Sequence, residues 1–167
     1  MAERDSSGVK FPPPLIYMLG LLAGYLFERW LPFAIAITVR PGVHTTNFWF
    51  APAARVAGWA LLALGLAIGF VSVGLFRRAG TSPNPFRPVT AIVTSGIYRI
   101  TRNPMYLGMV VIYVGISLLI RSAWALVLLP PVVLLVDRLV IAKEEKYLAG
   151  KFGEPYLAYK RRVRRWI

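Results

Sequence analysis

The chain has 167 residues, 57% of them hydrophobic, and its 20 Lys and Arg against 7 Asp and Glu give a net charge of +13. This composition, with apolar runs near the thickness of a bilayer, excludes an ordinary soluble domain and predicts one all-α, polytopic membrane helical bundle over residues 1–167. Cysteine is absent and His44 is the single histidine, so thiolate chemistry, a histidine-based metal site and a serine triad are excluded and no metal is expected.

The basic residues do not indicate a nucleic-acid partner. They are concentrated at the ends of the apolar segments, where anionic lipid headgroups attract them, and no soluble basic domain is long enough to grip a duplex. The membrane itself is the expected partner.

The N-terminal part, residues 1–80, contains two predicted spans. Residues 15–31 are about one bilayer long, and residues 56–76 carry no charge. In the second span, Gly65 and Gly69 have the GxxxG spacing that permits close helix contact, within the chain or in a dimer. The aromatic, turn-rich segment between the two spans suits the membrane interface.

Residues 81–167 form the C-terminal part. A proline-rich polar connection leads to a third span over residues 104–120, which begins with a proline suited to the first helical turn. Residues 122–136 then return through Pro130 and Pro131, and this pair predicts a kink or a broken helix.

The hairpin of the third and fourth spans brings Asn103 and Glu144 to the same membrane face. If the fourth helix continues beyond the membrane, the spacing of seven predicts that Asp137 and Glu144 share one side of it. The terminal sequence KRRVRRWI is typical of a membrane-surface anchor.

The distribution of Lys and Arg predicts the orientation. Two lie before the first span, five lie in residues 77–102 and nine follow from Arg138, which leaves four elsewhere. Because positive residues favour the cytoplasmic side, we expect about four spans with both termini and the large loop in the cytoplasm. We expect the protein in the bacterial inner (cell) membrane, with its candidate site facing the cytoplasm.

Two segments carry most of the polar chemistry. TSGIYRITRNPMYLG begins at Thr94, and EEKYLAGKFGEPYLAYKRR begins at Glu144, across the apolar hairpin. Together they set Arg, Asn, Tyr and Glu at the mouth of the bundle. Charged groups at membrane depth are costly and indicate function by default, so we interpret the two segments as one composite site.

The order of these pieces resembles the isoprenylcysteine carboxyl methyltransferase and phospholipid methyltransferase superfamily. The resemblance rests on the proline-containing loop, RNPMY at 102–106, the short hairpin, Glu144 and Glu145, and the later FG pair and tyrosines, and it covers residues 81–165. It implies an integral membrane enzyme that uses S-adenosylmethionine, and that residues 81–167 form the catalytic, cofactor-binding part. The loop before the third span and the C-terminal segment would enclose the cofactor.

The resemblance also implies roles for individual residues. Arg102 would orient the carboxylate of the cofactor or acceptor, and Glu144 or Glu145 would position the donor or accept a proton. Asn103 departs from the RHPxY pattern of the eukaryotic prenylcysteine enzymes, which have His at this position. An amide can still hydrogen-bond the cofactor but cannot titrate near neutral pH. The implied cofactor-binding residues are Val93, Gly96, Tyr98, Arg102, Asn103, Tyr106, Glu144, Tyr156 and Tyr159.

The expected acceptor is lipophilic or lipid-tethered: an isoprenylcysteine-like carboxylate, an isoprenoid acid or a phospholipid amine. Two other classes stay open, namely a membrane reductase that uses NADPH on a related scaffold and a non-enzymatic membrane interaction protein. In the latter, the charged residues would only anchor helix ends. The oligomeric state is left open.

Overall fold

The computed structural model describes residues 7–9, 11–31, 52–84 and 86–167, so His44 and residues 33–51 of the expected interfacial segment lie outside the described residues. Within these ranges the chain is helical and forms no strand. The helices are α1 (Pro13–Trp30), α2 (Pro52–Arg78), α3 (Pro104–Leu119), α4 (Ala123–Val136), α5 (Ala142–Phe152) and α6 (Glu154–Arg162), with a 3-10 turn at Gly96–Arg99 and a π-helical turn at Asp137–Ile141.

The helices α1 to α4 correspond to the four predicted spans. Two helices are long and apolar enough to cross a membrane, judged by length and composition alone: α2 and the continuous helix from Ala123 to Phe152. The helix α3 is apolar but shorter. Large apolar side chains face outward, among them Met18, Phe70 and Leu134, which are 64%, 74% and 54% exposed. Water would penalise such surfaces, so the all-α membrane bundle is confirmed.

Glycines bring α2 and α3 into backbone contact. A Cβ on Gly65 would lie 2.7 Å from the Gly108 carbonyl oxygen, and one on Gly115 would lie 2.8 Å from the Gly58 carbonyl oxygen. A Cβ on Gly69 would meet nothing within 4 Å. The predicted role of Gly65 in packing is therefore confirmed, but its partner on the same face is Gly58, because seven residues make about two helical turns.

The first helix packs antiparallel against α4. At Gly24, a Cβ would lie 2.5 Å from the Ala125 Cα, which shows how closely the two backbones approach. Ser122 caps the start of α4 by accepting from the Ala125 amide, and its hydroxyl donates to the Gly24 carbonyl at 3.0 Å. Tyr113 joins α3 to this pair by donating to the Ala125 carbonyl at 2.9 Å.

The fourth helix does not break at Pro130 and Pro131, which both lie inside α4. It continues through the π-helical turn into α5, and its 30 residues span roughly 45 Å. A hydrocarbon core is about 30 Å thick, so the polar α5 extends beyond the membrane surface. The helix thus carries Glu144 and Glu145 out to the end of the bundle where the loop before α3 also lies.

The π-helical turn changes which residues share a side of this helix. A π-turn accommodates one extra residue, so positions eight apart align across it instead of positions seven apart. Asp137 and Glu145 both contact Arg165, whereas Glu144 contacts Tyr106. The predicted sharing of one side by Asp137 and Glu144 is therefore wrong.

Candidate functional site

A cavity of about 110 Å³ lies at this end of the bundle, between the loop before α3 and the helices α5 and α6. Every residue of the sequence-predicted site except Gly96 lines it: Val93, Tyr98, Arg102, Asn103, Tyr106, Glu144, Glu145, Tyr156 and Tyr159. The structure therefore brings both predicted segments together around one space.

Gly96 has a positioning task in the loop. Its φ of +58° is a conformation that residues with a side chain rarely adopt, and a Cβ there would lie 2.9 Å from the Leu75 side chain. The glycine permits the 3-10 turn that buries Tyr98, whose ring meets that of Phe76 edge-on at 5.5 Å. It contributes to the cavity indirectly.

The segment after α6 holds the loop before α3 in place. Thr101 pairs with Arg164 in a parallel bridge, and the Arg102 amide donates to the Arg164 carbonyl at 3.0 Å. The Thr101 hydroxyl and the Asn103 side-chain amide both donate to the Arg165 carbonyl at 3.0 Å. The side-chain NH2 group of Asn103 thus binds the C-terminal segment, although Asn103 also lines the cavity.

Glu145 is buried in a cluster of cations. Arg165 donates to both of its carboxylate oxygens at 3.0 and 2.7 Å, Lys160 lies at 3.1 Å, and Arg102 Nη2 lies at 3.2 Å. Burial alone would raise the pKa of Glu145, but the hydrogen bonds from Arg165 and Lys160, with the charges of Arg102 and Arg165, lower it. Glu145 is consequently a stable anion.

Arg102 has hydrogen-bonding capacity that the protein leaves unused. Its side chain is only 9% exposed, and among the described residues Nε and Nη1 find no hydrogen-bond partner. A buried donor without a partner costs about 1–3 kcal/mol, and more when it is charged. Because Arg102 lines the cavity, these two N–H groups provide a binding position for an anionic group of a ligand.

Glu144 has the opposite environment. The Tyr106 hydroxyl donates to its Oε1 at 2.7 Å, and no Lys or Arg in the described part of the chain forms an ion pair with it. The pKa of Glu144 is raised to about 7, mainly because the carboxyl group is removed from water. The hydrogen bond from Tyr106 lowers this pKa, and the negative charge of Glu145 raises it further. Glu144 can therefore both attract a cation and exchange a proton near neutral pH.

Two tyrosines of α6 close the cavity from the C-terminal side. The Tyr159 hydroxyl donates to the Tyr98 carbonyl at 2.7 Å, which ties α6 to the loop before α3. Burial raises the pKa of Tyr156 to about 12, with Glu145 raising it further and Arg102 lowering it. Both phenols therefore stay neutral, and their rings offer aromatic faces to a cationic ligand.

Arg165, Trp166 and Asp137 are structural parts of the site that the sequence-predicted site does not include. Arg165 Nη1 and Trp166 Nε1 both donate to Asp137, at 2.9 and 3.2 Å. The prediction that the whole terminal sequence is a membrane-surface anchor is therefore wrong for Arg165 and Trp166. Their partners are 20 to 64 residues away in sequence, a separation at which no local pattern gives a signal.

Comparisons with known proteins identify a matching family. Residues 53–155 match the family model described as phospholipid methyltransferase, so the match covers α2 to α5 and ends just before Tyr156. An uncharacterized protein of Haemophilus influenzae is 36% identical over 63 residues, which are 38% of this chain and all of that protein. No solved structure matches.

Proposed function

This chain belongs to the phospholipid methyltransferase family, and from that premise we propose that it transfers a methyl group from S-adenosylmethionine to a lipophilic or lipid-tethered acceptor at the cytoplasmic membrane face. The observation that carries the proposal is the unused pair of N–H groups on buried Arg102, in the same cavity as Glu144. A ligand with both a carboxylate and cationic groups would satisfy both side chains.

The cavity residues fit S-adenosylmethionine by their chemistry. Arg102 would donate to its amino-acid carboxylate, Glu144 would attract its ammonium or sulfonium charge, and the rings of Tyr98 and Tyr106 would support that charge. Bound there, the cofactor would supply an electrophilic methyl group. Its departure disperses positive charge, so alignment and electrostatics contribute more than a strong base.

The protein would contribute to the reaction mainly by orientation. The carboxylate of Glu145 holds the Arg102 guanidinium in place. The hydrogen bond from Tyr106 orients Glu144. A carboxylate acceptor is nucleophilic as it stands, whereas an amine must lose a proton, which Glu144 is placed to accept near neutral pH. The isoprenylcysteine-like carboxylate, the isoprenoid acid and the phospholipid amine all remain candidate acceptors.

Calorimetric titration of the detergent-purified protein with S-adenosylmethionine tests the proposal. We expect saturable binding that Arg102→Ala weakens by about 30-fold or more, because a buried charged donor is lost. Glu145 keeps Lys160 and Arg165 in this variant, so the fold should survive. The control is Arg99→Ala, which removes an exposed arginine three residues away and should leave binding within about twofold.

The same titration with NADPH separates the proposal from its alternatives. Saturable NADPH binding without S-adenosylmethionine binding would favour the reductase. If the folded wild type binds neither S-adenosylmethionine nor NADPH, the result would favour the interaction protein.

A further inference from the structure

Arg165 joins three separate parts of the candidate site. Its Nε and Nη2 donate to the two carboxylate oxygens of Glu145 at 3.0 and 2.7 Å, and Nη1 donates to Asp137 at 2.9 Å. Its backbone carbonyl accepts hydrogen bonds from Thr101 and Asn103. One residue thereby connects the loop before α3, the π-helical turn and α5.

We propose that Arg165 is a positioning residue for the cofactor site. It occupies both oxygens of Glu145 and so keeps Nε and Nη1 of Arg102 available to a ligand. This inference rests on the proposed function, because the ligand group is the carboxylate of S-adenosylmethionine. The family match ends at residue 155 and so does not include Arg165, and the resemblance assigns Arg165 no role.

The reason is competition for the acceptor atoms of Glu145. Arg102 has one contact with Glu145, at 3.2 Å, because the planar fork of Arg165 already pairs with both oxygens. Without Arg165, Glu145 regains accepting capacity next to a guanidinium with unpaired N–H groups. Arg102 would then pair with Glu145 through Nη2 and one of its two unused nitrogens, so at most one of these nitrogens would still be available to the ligand.

Several charged or titratable groups face Glu145. Arg102 approaches from the loop before α3, Glu144 precedes it in α5, Lys160 and Tyr156 lie on α6, and Arg165 follows α6. Asp137 acts on Glu145 through their shared arginine. The three cations outweigh burial and keep Glu145 ionised, and Arg165 is the one that binds both of its oxygens.

The experiment measures S-adenosylmethionine binding to wild type, Arg165→Met, Arg165→Lys and the control Arg164→Met, whose side chain is exposed. We expect Arg165→Met to raise Kd about tenfold and Arg164→Met to change it less than twofold. Arg165→Lys should rescue little, because an ammonium cannot pair with both oxygens and Asp137 together. Equal effects of the two Met variants, or full rescue by lysine, would overturn the inference.

A second pair of variants tests whether Arg165 acts through Glu145. In a Glu145→Gln background, Arg165→Met should raise Kd by less than about twofold further, because the competition no longer exists. If the effects of the two substitutions multiply in full, Arg165 acts by another route and the inference fails.

A measurement without cofactor separates this inference from the proposed function. Because the pKa of Glu145 is lowered, its pairing stabilises the folded protein at pH values above 4.5, the ordinary pKa of this carboxyl group. This stabilisation is lost as the pH falls further. The difference in Tm between wild type and Arg165→Met should therefore shrink as the pH falls below 4.5. A difference independent of pH would refute the positioning role, whereas failure of wild type to bind S-adenosylmethionine would refute the proposed function.

Discussion

Glu144 and Glu145 are adjacent in α5, yet their surroundings give them different properties. Glu145 binds three cations and is buried, whereas Glu144 binds one neutral phenol and lines the same cavity. The sequence indicated both as candidates for the reaction centre. The contacts favour Glu145 as the residue that holds Arg102 and Glu144 as the one that meets a cation or a proton.

The raised pKa of Glu144 predicts how stability depends on pH. The folded protein retains this proton up to about pH 7, whereas the unfolded chain loses it near 4.5, so the stabilising contribution is complete below 4.5 and is lost as the pH rises through 7. Above pH 7 the ionised carboxylate costs up to about 3 kcal/mol. Glu144→Gln should therefore raise Tm at pH 8 and change it little at pH 4.5.

Thermal unfolding of both proteins in detergent across this pH range checks the prediction. Tyr106 can still donate to the glutamine oxygen, so the substitution isolates the charge. The control is Glu154→Gln, which removes an exposed carboxylate paired with Arg161 at the surface. A Glu144→Gln variant with unchanged stability at pH 8 would show that Glu144 ionises without penalty.

The residue types of the site could be predicted from sequence, but the task of each residue could not. Arg102 and Tyr106 were identified because they belong to the RNPMY motif, which carries the family resemblance and begins a helix at the mouth of the bundle. Asn103 was expected at the cofactor, and the structure shows its NH2 group bound to the Arg165 carbonyl, 62 residues away. Such a contact depends on where α6 returns, which no local pattern reports.

Glycine spacing controls the contact between α2 and α3. Gly58 and Gly65 meet Gly115 and Gly108 at the backbone, while Gly69 faces open space. A GxxxG pattern alone indicated Gly65 and Gly69 together, because small residues at either spacing of one or two turns permit close approach. Only the partner helix decides which spacing is used.

Substitution of these glycines provides a matched comparison. In Gly65→Val the new Cβ would lie 2.6 Å from Ile112 Cγ1 and 2.7 Å from the Gly108 carbonyl, and we expect a loss of about 2 kcal/mol or more from the forced backbone shift. Gly69→Val adds the same atoms where nothing lies within 4 Å, so its cost should stay below about 0.5 kcal/mol. Denaturant unfolding in mixed micelles measures both, and similar losses would contradict this packing.

The π-helical turn is the element that aligns the two halves of the site. It places Asp137 and Glu145 on one side for Arg165, and it leaves Glu144 directed to Tyr106. A regular α-helix through the same residues would align positions seven apart and separate these pairs. The sequence predicted a regular helix here, so the predicted alignment of Asp137 with Glu144 was wrong.

At the scale of the whole molecule, positive charge is concentrated at the end of the bundle that contains the site. The ends of α2 and α6 carry exposed arginines beside the cavity, and the opposite end of the hairpin has Arg121 in its tight turn. The positive-inside rule predicts that the richer end lies in the cytoplasm. The proposed use of S-adenosylmethionine requires the same orientation, because that cofactor is available in the cytosol.

A reporter fusion tests this orientation. Green fluorescent protein joined by a flexible linker after Ile167 should fluoresce, and alkaline phosphatase at the same position should be inactive, because the first works in the cytoplasm and the second outside it. The matched control inserts each reporter in the turn at Arg121, where the pattern should reverse. Phosphatase activity at the C-terminus would place the cavity on the wrong side for its proposed cofactor.

The sequence by itself determined the membrane helices, the hairpin that returns Glu144 to the level of Asn103, and, through the family resemblance, nine of the residues that line the cavity. Hydrophobic length, proline position and charge are local properties, so they can be read along the chain. Only the tertiary structure decided which glutamate is paired, which N–H groups of Arg102 remain unused, and that Arg165 belongs to the site. These depend on the extra residue of one π-turn and on contacts across 20 to 64 residues, and side-chain chemistry alone specifies neither.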